Sequence, residues 1–103
     1  MNSQEQKQKG AEILKQLGGN RFVAMTGAKD FIADDKGIYF KIGRNALGAN
    51  LVKIQLNGLD LYDVEYVFGR AGNLTTKAKS ENLFADALQG DFEQKTGMYV
   101  KLQ

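Results

Sequence analysis

The residues of this chain best suited to surface chemistry are interleaved aromatics and bases: Tyr39 with Lys41, Lys53 with Tyr62, then Tyr66, Phe68 and Arg70, with Arg44 between the first two groups. Tyrosine rings stack on nucleobases, and lysine and arginine side chains hold phosphates. Proteins use that combination to bind single-stranded nucleic acid without reading its sequence. Tyr39, Lys41, Arg44, Lys53, Tyr62, Tyr66 and Arg70 are therefore the candidate nucleic-acid-binding residues, on the condition that one sheet face is open. The same tyrosines also fit half-buried sheet positions with their hydroxyls at the rim, which β propensity alone would produce.

Catalysis is the weaker expectation. The 103 residues include no histidine and no cysteine, the side chains most often recruited for nucleophilic, general-base and transition-metal chemistry. No catalytic residue, metal or cofactor is expected. Residues 43–48 have the glycine spacing of a phosphate-binding loop, but Ala49 and Asn50 stand where Lys-Ser/Thr would follow. Gly69-Arg70-Ala71-Gly72 matches the GxxG of KH domains, yet that loop joins two helices and here follows a strand pattern. Asp60, Asp63 and Glu65 are hard-cation ligands by type. In an extended strand, however, Asp60 points away from the other two, and a solvated charged strand explains them better.

Net charge is only +2, from 14 bases and 12 acids, but the signs are segregated. Residues 36–59 carry Lys36, Lys41, Arg44 and Lys53 without an acid, and residues 66–80 carry Arg70, Lys77 and Lys79 without one. Such asymmetry can build one basic surface for a polyanion. It also serves to keep exposed strands soluble and to blunt sheet edges. No apolar run approaches the roughly 20 residues of a membrane-spanning helix, and the polar first ten residues do not resemble a signal peptide. A cytoplasmic protein without a membrane partner is expected, and self-association is left open.

These residues need elements to position them. At 11.4 kDa, residues 1–103 fit one domain whose first ten residues are loosely held. Helix formers over residues 4–17, with Ala11, Ile13, Leu14 and Leu17 at helical spacing, predict a helix that Ser3 caps and Gly18-Gly19 stop. Alternation then predicts strands at residues 21–26, 31–33 and 38–42, the last two joined by a turn at Asp34-Asp35-Lys36-Gly37. Residues 43–50 read as a loop. Asn57-Gly58 predicts a two-residue type I′ hairpin between residues 51–56 and 59–68, with Leu56 opposite Leu59 and Val52 opposite Asp63. That register conflicts with the apolar pattern and calls for a bulge or for cover on both faces.

A short strand is expected at residues 74–79. A helix from a Ser80 cap to Gly97 follows, with Leu83, Phe84, Ala87, Leu88 and Phe92 as its apolar stripe, and then an edge strand over residues 98–102. The expected fold is α+β: an antiparallel sheet of four to five strands, with an N-terminal and a C-terminal helix packed mainly on one face.

Residues 17–31 (LGGNRFVAMTGAKDF), 52–65 (VKIQLNGLDLYDVE) and the pieces Asp86-Ala-Leu-Gln and Thr96-Gly-Met-Tyr99 resemble a family of short proteins from bacteriophages and mobile elements. The resemblance spans roughly residues 17–102. It implies a phage or prophage origin, hence the cytoplasm of a bacterial host, and brings no activity or site residue with it. The expected fold is also loosely similar to PC4-like single-stranded DNA-binding domains. Two partners follow. Single-stranded nucleic acid leads, and the alternative is a host protein, occluded by a small inhibitor of a defence nuclease such as an anti-CRISPR protein, with the acids near residues 60–65 and 81–93 as nucleic-acid mimics.

Overall fold

The computed structural model describes residues 3–100. Five strands, β1 (Lys29–Ala33), β2 (Gly37–Lys41), β3 (Leu51–Leu56), β4 (Tyr62–Arg70) and β5 (Asn73–Leu83), form one antiparallel sheet in chain order. Three helices, α1 (Ser3–Leu17), α2 (Asn20–Thr26) and α3 (Leu88–Thr96), complete the expected α+β arrangement.

Alternation along the strands decides what faces the helices. Ile38 and Phe40, Val52 and Ile54, and Val64 and Tyr66 share one face and form a single core with Ile13, Leu17, Phe22, Leu88 and Phe92. Phe22 sits at its centre, edge-on to Phe40 and Phe92 with ring centroids 5.6 and 4.8 Å away. Gly10 sets how closely α1 lies on the sheet, because a Cβ there would fall 2.9 Å from Cγ2 of Ile38.

Residues 21–26, expected as a strand, are helical. Gly18 and Gly19 do stop α1, but Gly27 then caps α2 in the left-handed conformation, its N–H donating to the Val23 carbonyl. A four-residue apolar run fits either period, and here burial follows the helical one. Phe22 and Thr26, one turn apart, are inside, while Met25 is 47% exposed. Thr26 Oγ1 donates to the Phe22 carbonyl at 2.6 Å.

The β3–β4 connection also departs from expectation. Leu56 pairs with Tyr62 and Val52 with Tyr66, so the loop has five residues and the register moves by three positions. The Asn57 side chain takes over what a type I′ turn would do. Its Oδ1 accepts from the amides of Leu59 and Leu61, and its Nδ2 donates to Asp63 and Asn82. Asp60 rather than Gly58 adopts the left-handed conformation (φ 59°). The apolar conflict disappears: Val52, Ile54, Val64 and Tyr66 face one way, and Lys53, Gln55, Asp63 and Glu65 the other.

Strand β5 runs on through Ser80, which pairs with Val64 and caps no helix. Its Oγ donates to Asp91 of α3 at 2.7 Å. A short 3-10 turn (Ala85–Ala87) leads into α3, and Phe84 stands 68% exposed instead of joining the stripe. Residues 98–100 do not extend the sheet. Val100 is buried, and its N–H donates to the Glu93 carboxylate. Positions 101 and 102 of the expected edge strand lie outside the described residues.

Candidate binding face

Because the core takes every second residue of β2 to β4, the residues between them define the opposite face, away from all three helices. Tyr39 lies directly across from Lys53 on β3, and Lys53 from Glu65 on β4. Tyr39 is 39% exposed, and Lys41 and Lys53 are exposed. On its other side β2 meets β1, where Lys29 pairs with Lys41 and Ile32 with Tyr39. Leu51 and Leu74 add aliphatic surface, Leu74 being 71% exposed, while Val67 is buried and only 9% exposed.

Two shallow hollows adjoin on this face. One, of about 400 Å³, is walled by Lys29, Lys41 and Arg70 and by the turn after β4. The other, of about 380 Å³, is walled by Tyr39, Lys53, Leu51, Val67 and Leu74. Leu51 and Leu74 border both, so a cationic compartment opens onto an apolar one with a tyrosine in its wall.

Of the residues expected to bind, Tyr39, Lys41, Lys53 and Arg70 thus border one continuous trough. Arg44 does not. It belongs to the loop 42–50, whose Gly43 and Ala46 amides donate to the carbonyls of Thr26 and Thr96 in the helical layer. With Phe68 it lines a further depression that shares Ile42 and Asn50 with the cationic hollow but none of its basic residues. Tyr62 and Tyr66 face the helices, which corrects their placement on the outer surface. The physical reason is the three-position shift in register, which carries both rings inward with Val64.

Tyr66 is fully buried, and its hydroxyl donates to Oδ2 of Asp91 at 2.7 Å. Burial, followed by the Asp91 carboxylate it bonds to, pushes its pKa far above the ordinary tyrosine value. Tyr62 is half-buried against the core. Burial raises its pKa too, and the Glu12 carboxylate adds to the effect. Neither ring is presented to a base on the open face.

Lys29, Leu51, Val67 and Leu74 belong to the trough and were absent from the expected set. Lys29 was legible only as the cross-strand neighbour of Lys41, which required the β1–β2 register. Acids share the face as well. Asp30 lies 3.4 Å from Lys41, and Glu65 accepts from Thr76. Among the described residues, no three carboxylates gather as a metal site, and no helix is long and apolar enough to cross a membrane.

Fold and face define an α+β domain with an antiparallel sheet covered by helices on one side and bare on the other. No family model, curated protein or solved structure matches the chain.

Proposed function

We propose that the protein is a non-enzymatic binding module that takes single-stranded nucleic acid on its open sheet face. The observation that carries this reading is the adjacency of the two hollows. The Lys29, Lys41 and Arg70 compartment suits a phosphate, and the Tyr39, Leu51 and Leu74 compartment beside it suits a base. Phosphate and base are adjacent in the same way in every nucleotide, whatever its sequence. With one tyrosine on the platform, stacking supplies about 1–3 kcal/mol, and affinity belongs in the range of about 1–100 µM at physiological salt.

Fluorescence anisotropy with labelled oligothymidylate and a duplex of equal length tests this. Three cations on a single strand give a log–log salt slope of about −2, with tighter binding to the single strand. Absence of binding at low salt, or a slope near zero, refutes the reading.

One observation favours a second reading. The face keeps a single tyrosine, and Leu74 and Ile32 stand 71% and 49% exposed. An apolar centre with a charged rim is also the anatomy of a protein interface. On this reading the partner is a host protein with an acidic rim, as for the defence inhibitor considered above, and affinity is only weakly salt-dependent.

A further inference from the structure

Beside the corner hollow, bonded to one of the lysines that line it, stands a carboxylate that a simple cationic patch would not need. Lys29 and Lys41 face each other across β1 and β2, and Arg70 closes the hollow from the end of β4. Asp30, the residue after Lys29, sits where the β1 register slips and has the left-handed conformation at φ 57°. Apart from glycine, Asp and Asn are the residues that adopt that conformation most readily. The slip itself has a plain purpose, since a bulge and a charge on an edge strand discourage pairing with another chain. Blunting the edge does not require this carboxylate to face Lys41, yet Asp30 Oδ2 lies 3.4 Å from Lys41 Nζ, with both side chains more than half exposed (59% and 56%).

We infer that this corner is a phosphate seat, and that Asp30 occupies Lys41 until an incoming phosphodiester displaces it. The inference rests on the nucleic-acid reading for the source of the phosphate. Displacement is feasible because an exposed ion pair is weak and screened by salt, so a phosphate that also meets Lys29 and Arg70 outcompetes one carboxylate. Asp30 then lowers affinity for every anion that enters the hollow. The cost of displacing it is the same for a lone phosphate and for a strand that fills the whole trough, so removing it should tighten both by a similar factor.

The test turns on a variant that should gain affinity. Asn tolerates the left-handed conformation as well as Asp does, so Asp30→Asn keeps the fold and removes only the charge. Oligothymidylate and inorganic phosphate are each titrated into 15N-labelled protein, following backbone amide signals of residues 29, 41 and 69–72. We expect both ligands to move those signals. Asp30→Asn should bind the oligonucleotide about two- to five-fold tighter, the range of an exposed ion pair. Arg70→Ala should bind it more weakly, with a salt slope shallower by about 0.7. Glu81→Gln removes an equal charge from β5, where Glu81 pairs with Lys79, and should change affinity less than Asp30→Asn does.

If the oligonucleotide binds but Asp30→Asn is no tighter than Glu81→Gln, the displaced-carboxylate inference falls and the nucleic-acid reading stands. If the oligonucleotide fails to bind while inorganic phosphate still moves the corner signals, and does so at lower concentration in Asp30→Asn, the seat stands and the nucleic-acid reading falls. If neither ligand moves them, both fall.

Discussion

Tyr66 and Tyr39 are both strand tyrosines with alternating neighbours, and they end in opposite surroundings. Tyr66 is fully buried beneath α3 with its hydroxyl on Asp91, whereas Tyr39 is 39% exposed on the bare face beside Lys53. The covered face is finished in the manner of a core, with three interlocking phenylalanines and every buried side-chain polar atom among the described residues paired. The bare face keeps exposed aliphatic surface at Leu74 and Ile32. The edges of the same sheet are guarded. Strand β1 slips at Asp30, and β5 is interrupted beside Lys77 and again at Asn82. A chain that blunts its edges yet leaves apolar groups on an open face has surface there that the fold does not use, and the proposed binding function rests on that difference.

The largest effect that would sharpen this contrast lies at the centre of the covered face. Phe22→Ala removes the ring that bridges Phe40 and Phe92 and leaves a cavity at the centre of the core. Loss of a buried phenylalanine costs about 3–5 kcal/mol, against a total of about 5–15 kcal/mol for a domain. Urea denaturation followed by circular dichroism should therefore find the variant marginal or unfolded. A loss below about 1 kcal/mol would mean that the helices do not seal this face as described.

A smaller effect separates the two tyrosines by pH. Tyr66→Phe leaves Oδ2 of Asp91, whose side chain is only 9% exposed, without the phenol donor, while the Ser80 hydroxyl and Lys95 still reach Oδ1. Losing a hydrogen bond to a charged group costs about 1.5–3 kcal/mol. Because the folded-state pKa of Tyr66 is raised, its contribution is fully present below the unfolded tyrosine value of about 10 and is lost as pH rises past it. Stability of the wild type should fall above that pH with a slope that Tyr66→Phe reduces, and ultraviolet titration should show Tyr66 ionising only on unfolding. If Tyr66 ionises in the folded protein at ordinary tyrosine pH, the covered face is wetter than its geometry implies.

How far these surroundings were legible in the sequence depends on range. The order of α1, all five strands, the one-sided helices and the outward Tyr39, Lys41 and Lys53 follow from periodicities only a few residues long, although the same periodicities also placed strands at residues 21–26 and 98–102. What was hidden is long-range. Asn57-Gly58 advertises a type I′ turn, but the Asn57 side chain bonds to Asp63 and to Asn82, and that non-local network sets a five-residue loop instead. The two-residue turn with both central residues left-handed occurs one hairpin later, at Ala71-Gly72 (φ 53° and 83°), between the paired Arg70 and Asn73. Alanine gives no hint of it, because in isolation it avoids that conformation. The three-position difference in register is what moved Tyr62 and Tyr66 from the candidate site into the covered half. The meeting of Lys29, Lys41 and Arg70 involves three strands and no local pattern at all.

The smallest effect on stability is expected where the effect on binding is largest. Tyr39→Ala removes a ring that rests on the open face without filling a closed space. Substitutions at such positions usually change stability by no more than about 0.5 kcal/mol. Removal of one stacking platform should nevertheless weaken oligonucleotide binding about five-fold or more. Tyr66→Phe should do the reverse, costing stability and sparing affinity in the folded fraction. The pair therefore forms a crossed test in which each variant controls for the other. If Tyr39→Ala destabilises as much as Tyr66→Phe, the ring is structural, the face is less open than its exposure indicates, and the contact surface must be sought around Leu74 and Arg70. If it changes neither quantity, the tyrosine is incidental, and the apolar compartment must recognise its partner through Leu51 and Leu74, as a protein interface would.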